Sequence, residues 1–412
     1  MRVLIVHPFH YLRGGVERCA LDESRWLAAA GHEVAHFAIR DERNLSSPTA
    51  SYFAPHAEYG ESASFGTQLA QLPRAIWSRP AEAAITRLLA AWRPDVAHIH
   101  APSRYLTPSV LRPLQHARVP MVMTLHDFKP WCTNRTLFAH GEPCTRCRGG
   151  YHWHAFAESC VQGSRVKSAV GALEAYVHDA VRAYRGIGVW IAPSAFVRDM
   201  AVELGLDPAC VRVVSHGLEP VVADANGGAA VLSTVPYALF AGRLSLEKGV
   251  RLLPAIALRL APATLRVAGE GPLGAWLAEQ ARSLPNLELA GHLSSEQLAR
   301  AISGAAAVVV PSLSYETFCF AAAEALHAAR PVVAARIGAI PELVEHEVTG
   351  LLAAPGDAAA LAEATLRALS DPVAARWASE GRRRVLERMD PARHVAGLLA
   401  CFADAGAVRR SS

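Results

Sequence analysis

Short apolar runs, many rich in β-branched residues, recur along this chain, separated by stretches that are largely helical in composition. The first series is Arg2-Val3-Leu4-Ile5-Val6, Val34 to Ile39, Pro94 to His100, Val119 to Leu125, Gly188 to Ala192 and Val211 to Val214. The second is Tyr237 to Ala241, Leu265 to Ala268, Leu287 to Leu289, Ala305 to Val310, Pro331 to Ala334 and Gly350 to Leu352. Runs that are apolar at nearly every position fit strands covered on both faces, the condition of a parallel sheet flanked by helices. Strand and helix alternating in this way predict an α/β fold wound twice. Val221 to Thr234, containing Asn226-Gly227-Gly228, separates the two series and reads as a linker. A chain of 412 residues has room for two such domains.

Composition narrows the class. With 51% hydrophobic and 19% charged residues, the chain can bury large cores and is not a disordered one. No apolar run approaches the roughly 18 residues of a membrane span. The opening MRVLIVHPFH has one Arg and a four-residue apolar core, which fits a first strand rather than a signal peptide. A cytoplasmic location is therefore expected, with the eight Cys as thiols or metal ligands rather than disulfides. The net charge of +4 sits in the first half, where residues 1–217 carry 23 Lys and Arg against 18 Asp and Glu. That excess is too small for nucleic acid. It is compatible with an anionic substrate or a membrane surface.

The richest stretch is Pro311 to Leu326, PSLSYETFCFAAAEAL. It predicts a loop after a buried strand, then a helix, with Glu316 in the loop and Glu324 inside the helix. Ligands of doubly wound sheets sit at the carboxyl ends of strands, against helix N-termini. Free N–H groups there, such as those of Phe318 and Cys319, attract anions. Two carboxylates beside them make sense as acceptors from sugar hydroxyls, while backbone N–H groups take a phosphate. The plain alternative is a Glu near a helix start and a second Glu that is solvated or paired.

Other loops add to this one. Gly242-Arg243-Leu244-Ser245-Leu246-Glu247-Lys248-Gly249 places two cations in a glycine-bounded loop at a strand end. Arg can grip a diphosphate through two N–H groups and Lys as a point charge, although such cations are usually ordinary surface charges. Gly269-Glu270-Gly271-Pro272, Gly291-His292-Leu293 and Gly338-Ala339-Ile340-Pro341-Glu342 follow later strands. In the first half, Gly14-Gly15 stands before a helix from about Val16 to Ala30. Either it is a plain loop or it lets backbone approach a ligand. The G-x-G-x-x-G fingerprint is missing there, which argues against a dinucleotide oxidoreductase. His126-Asp127 ends a strand, a candidate site position that a structural His fills equally well. Thr67 to Trp92 is basic, amphipathic and interrupted by Pro73 and Pro80. It fits a membrane-surface helix or an ordinary packed one. Cys132, Cys144, Cys147 and Cys160, spaced by eleven, two and twelve residues, allow a structural zinc site, with His152 and His154 as substitutes. Four unrelated thiols in an insertion is the competing reading.

Together these motifs resemble the family-four retaining glycosyltransferases. The specific part is G-R-x-x-x-x-K-G at Gly242 to Gly249, G-x-G-P at Gly269 to Pro272, P-S-x-x-x-E-x-F-x-x-x-x-x-E at Pro311 to Glu324 and G-x-x-P-E at Gly338 to Glu342. The resemblance implies the α/β GT-B fold, two Rossmann-like domains facing a central cleft. An acceptor-side domain would span 1–217, with a Cys-containing insertion at 130–162 and a terminal helix at 391–408 packed back on it. A donor domain would span 218–390. It implies transfer of a hexose from a UDP- or GDP-sugar to a glycan or polyprenyl-linked acceptor with retention, in cell-surface polysaccharide or glycolipid synthesis. No cofactor beyond the donor would be required, and no acidic metal-binding dyad stands in the expected loops.

Arg243 and Lys248 would hold the diphosphate, Glu316 the sugar hydroxyls and Glu324 the ribose, with His126 near the transferred sugar. Gly14 and Gly15 would approach the phosphates, and Gly242, Gly271, His292, Leu293, Thr317, Phe318 and Cys319 would line the donor. The family usually has Gly where this chain has Cys319, so a side chain occupies that space. Two other readings compete. One is a non-catalytic nucleotide-sugar-binding protein on the same fold. The other is a glycoside hydrolase using Glu316 and Glu324, which leaves the cations unexplained.

Overall fold

The computed structural model describes residues 1–56, 65–102, 104–219 and 236–410. The linker expected at Val221 to Thr234 lies outside them. The chain divides into two compact units. One comprises Met1–Leu137, Thr145–Gly217 and Pro391–Ser412, the other Phe138–Cys144 and Leu218–Asp390.

The first unit is built on a six-stranded sheet of β1 (Arg2–Val6), β2 (Glu33–Phe37), β3 (Val96–His100), β4 (Met121–Thr124), β7 (Val189–Ala192) and β8 (Val211–Val213). Between β4 and β7 comes a two-residue antiparallel pair, β5 (Phe138–Ala139) and β6 (Glu142–Pro143), which the sequence did not announce. The sheet order is β2-β1-β3-β4-β7-β8, with every pairing parallel. Connections run outward from β1 on one side and from β3 on the other, so the switch point lies between them. All five residues of β3 are buried, and its period of two puts His98 and His100 on one face. The helix Pro391–Arg410, far away in sequence, completes this core. Val395, Leu398, Cys401 and Phe402 pack with Val3, Ile5, Val122 and Ile191. Burying side chains such as Leu398 and Phe402 stabilises by about 1.5–3 kcal/mol each.

The expected interruption of Thr67 to Trp92 at both prolines is half right. Pro73 sits inside the helix Phe65–Ile76, and the break falls at Ser78. Ser78 caps the helix Arg79–Ala91 by accepting from Ala81 N (3.3 Å), and Pro80 occupies its first turn, where no N–H is needed. Among the described residues, no helix is long and apolar enough to cross a membrane.

The second unit repeats the plan with β9 (Tyr237–Ala241), β10 (Thr264–Ala268), β11 (Leu287–Gly291), β12 (Ala307–Val310), β13 (Val332–Ala335) and β14 (Gly350–Ala353). The order β11-β10-β9-β12-β13-β14 is again parallel throughout, and the switch point lies between β9 and β12. The loops that leave the carboxyl ends of those two strands are the ones carrying Arg243 to Gly249 and Pro311 to Cys319.

Candidate active site

The two loops are locked together. Gly249, left-handed at φ 72°, lies so close to the β12 loop that an added Cβ would stand 1.9 Å from the Pro311 carbonyl oxygen. Leu313 N and Ser314 N both donate to the Glu247 carbonyl (2.9 and 3.2 Å). Gly338, at φ 60°, approaches from the β13 side, where an added Cβ would stand 2.5 Å from Glu316 N, and Ala339 N donates to the Glu316 carbonyl (2.8 Å). The turn at Gly271 backs onto Leu244, where an added Cβ would lie 2.5 Å from its carbonyl. Only backbone without side chains packs this tightly, so the glycines set the depth of the loops.

Within that frame Lys248 Nζ donates to both oxygens of Glu316 (2.7 and 2.9 Å), and Ser312 Oγ donates to Oε1 (2.6 Å). Glu316 is 8% exposed. Burial opposes its ionisation, but Lys248 and Ser312 outweigh it and hold the carboxyl below its ordinary range. Burial likewise disfavours the Lys248 ammonium, and Glu316 more than offsets this, holding its pKa above the usual value. Both groups are therefore charged at neutral pH. Arg243, two residues past the end of β9 in the same loop as Lys248, is exposed, and its guanidinium has no hydrogen-bond or ion-pair partner among the described residues.

The remaining expected donor residues fall around this pair in different settings. Gly242 follows β9, and His292, exposed, and Leu293, half-buried, follow β11. Thr317 is half-buried, Phe318 is buried and Glu324 lies half-buried within the helix Phe320–His327. Cys319 caps that helix at φ 71° and ψ 70°, a left-handed conformation that favours glycine. Its thiol is buried, and burial, with Glu316 adding, pushes its pKa up to about 12. The strain is real but modest. Cys319→Gly is expected to change unfolding free energy by less than about 1 kcal/mol, lost packing offsetting released strain, whereas Cys319→Val costs about 2 kcal/mol because a β-branched residue resists φ > 0. Denaturant titration of the two variants checks this.

In the first unit, Gly14 caps the helix Gly15–Ala29 in extended conformation (φ −174°), and an added Cβ would make only ordinary contact, 3.6 Å from Glu17 Oε2. His7, just past β1, is 2.8 Å through Nδ1 from the His100 carbonyl and 3.2 Å through Nε2 from Glu17. His126 is not isolated. Its Nε2 is 2.9 Å from His100 Nδ1, and its ring stacks on His216 at 5.3 Å. Burial, then His100 and His216, hold it well below the usual imidazole range, so it is neutral.

Behind His126 lies a buried polar cluster that sequence reasoning missed: Cys19, Glu23, His98, His100, His216 and His394. Part of it had a signal. Cys19 and Glu23 are four apart on one helix face, and His98 and His100 two apart on one strand face. His216 and His394 had none.

Among the described residues, the groups of potential ligands close enough to share an ion do not include Cys132, Cys144, Cys147 or Cys160. The Cys132 thiol donates to Asn134 Oδ1 (2.8 Å), His152 Nε2 is turned to Asp179 (2.8 Å), and His154 stacks on Trp153.

Two doubly wound units in one chain, with a Lys–Glu pair at the switch point of the second, define the GT-B class of fold. The family described as "Glycosyltransferase Family 4" matches residues 13–221, and "Glycosyl transferases group 1" matches residues 235–371. The chain belongs to this glycosyltransferase family. It is 32% identical over 318 residues to a glycogen synthase of Mycobacterium tuberculosis, covering 73% of this chain and 66% of that one. It is 32% identical over 309 residues to the alpha-maltose-1-phosphate synthase of Mycolicibacterium smegmatis, covering 68% and 71%. Its fold is similar to that of Anabaena Alr3699/HepE in complex with UDP and glucose (TM-score 0.68, 18% identity, covering 98% and 99%). Sucrose-phosphate synthase from Thermosynechococcus elongatus is similar to the same degree (TM-score 0.68, 20% identity, covering 98% of each).

Proposed function

We propose that the protein transfers a hexose from a nucleotide sugar, UDP- or GDP-linked, to a glycan or polyprenyl-linked acceptor with retention of configuration. Cell-surface polysaccharide or glycolipid synthesis is the setting this reading favours. The observation that carries it is the Lys248–Glu316 pair at the switch point of the second sheet, with Arg243 exposed in the same loop. Breaking a sugar–phosphate bond develops negative charge on the diphosphate, and cations fixed in advance lower that barrier. Arg243 and Lys248 take that role. Glu316, ionised, accepts from sugar hydroxyls. Glu324 accepts from the ribose, and the N–H groups of Thr317, Phe318 and Cys319 meet the phosphate oxygens. Gly242, Gly271, His292 and Leu293 line the nucleotide, while Gly14, Gly15 and His126 serve from the first unit. The departing phosphate accepts the acceptor's proton on the same face of the sugar.

Held ionised, Glu316 could serve a glycoside hydrolase only as its nucleophile or base, and that reading leaves Arg243 and Lys248 without a role. The basic helical stretch through Arg87 fits attachment to an anionic bilayer, where a polyprenyl acceptor would be found.

A thermal-shift series with UDP, GDP and their sugars tests the reading. One pair raises the melting temperature, since a ligand at 100 times its Kd adds about 2.7 kcal/mol. The matching sugar donor is then turned over when acceptor is supplied. Binding without turnover for every acceptor supports the non-catalytic alternative, and no shift with any nucleotide overturns both.

A further inference from the structure

The buried cluster of the first unit has the geometry of a metal site. Glu23 Oε2 lies 3.2 Å from His98 Nδ1 and 3.2 Å from His100 Nε2, and those two nitrogens are 3.3 Å apart. Three donor atoms thus form a nearly equilateral triangle. Ligands about 2.0–2.1 Å from a tetrahedral zinc stand about 3.3 Å from one another, the same edge. All three side chains are buried, at 1%, 0% and 0% exposure.

The state of Glu23 Oε2 is the second observation. It is fully buried and receives no hydrogen bond of acceptable geometry, although two imidazole nitrogens are near it. A buried carboxylate oxygen left in that state costs free energy unless a cation meets it. The atoms behind the triangle are arranged as a supporting shell. His98 Nε2 is 2.7 Å from Thr124 Oγ1, and His100 Nδ1 is 2.9 Å from His126 Nε2. The other oxygen of Glu23 takes His394 Nε2 at 3.0 Å and the Cys19 thiol at 3.1 Å. Outer contacts of this kind fix the tautomer and orientation of ligating imidazoles, freeing His98 Nδ1 and His100 Nε2 to face inward.

We propose that Glu23, His98 and His100 bind one divalent transition-metal ion, zinc by donor set and edge length, with water at the fourth corner. With every ligand buried, the ion is structural. It fastens the helix Gly15–Ala29 to β3 and, through Glu23 and His394, secures the helix Pro391–Arg410.

The full chain, stripped with chelator and dialysed, is loaded with Zn²⁺ or with Co²⁺ as a spectroscopic probe. Expected are one Zn²⁺ per chain by elemental analysis, the visible bands of tetrahedral cobalt, and a melting temperature raised by about 5 °C or more. Glu23→Gln and His98→Gln, which keep size and polarity, abolish the bands, while Cys144→Ser with Cys147→Ser leaves stoichiometry at one. The wild-type protein alone can overturn the assignment, whether or not the variants fold. Identical melting of stripped and zinc-treated protein, with no cobalt spectrum, does so. So does metal that is lost on changing Cys144 and Cys147 but kept in Glu23→Gln.

Discussion

Replacing Lys248 by alanine lowers both turnover and stability, whereas replacing Arg243 by alanine lowers turnover alone. The difference lies in what each cation is already doing. Lys248 neutralises Glu316, whose side chain is 10% exposed against 35% for the lysine. Removing the amine leaves a buried carboxylate with the Ser312 hydroxyl still donating to it. A fully buried broken pair costs about 3–5 kcal/mol. With Lys248 about a third exposed, solvent screens part of that, and about 1–3 kcal/mol is expected. Arg243 has no such partner, so its loss changes stability by less than about 0.5 kcal/mol. On the proposed chemistry each substitution removes one fixed positive group from the leaving diphosphate and lowers kcat by about 10²–10³. Unfolding curves and steady-state rates, measured on the same preparations, separate the two effects. Full turnover in both variants contradicts the proposed role of the loop.

Gly249→Ala carries the other large effect, this time through the backbone. Its φ of 72° costs an alanine about 1–2 kcal/mol. The Cβ would also stand 1.9 Å from the Pro311 oxygen and 2.7 Å from its carbonyl carbon, so the β12 loop has to move. Overpacking of that kind adds about 1–3 kcal/mol, and a total of about 2–5 kcal/mol is expected. Gly356→Ala is the control within the same unit. It shares a positive φ of 85°, but its nearest atom would be Leu313 Cδ2 at 4.0 Å, so only the conformational cost applies. Calorimetry of the two variants shows a large and a small loss if the close approach is what matters, and equal losses if it is not.

Much of this architecture was written in local patterns. The twelve strands of the two large sheets fall on the apolar runs, and central ones such as β4, β12 and β13 are buried at every position, because a strand covered on both faces must be apolar at nearly every position. The Lys248–Glu316 meeting also follows from local rules. Each residue sits in the loop after a strand, and parallel neighbours such as β9 and β12 bring those loops to one edge. Nothing local could announce that Cys319 is left-handed, since its conformation is fixed by the loop packed around it. The Glu23 cluster was hidden for a simpler reason. Glu23 and His394 are 371 positions apart, and sequence periodicity says nothing about partners at that distance. The spacing of the thiols was visible in the sequence, whereas the hydrogen bonds of Cys132 to Asn134 and of His152 to Asp179 were not.

The helix Pro391–Arg410 belongs to the first unit yet is made only after the whole of the second. During translation, Val3, Ile5 and Val122 must therefore wait, uncovered, while the intervening polypeptide emerges from the ribosome. The nascent amino-terminal half is then a natural client for chaperones, and its maturation waits on synthesis of the helix Pro391–Arg410. Chains cut short before Pro391 leave a product that degradation machinery can recognise by that exposed apolar face.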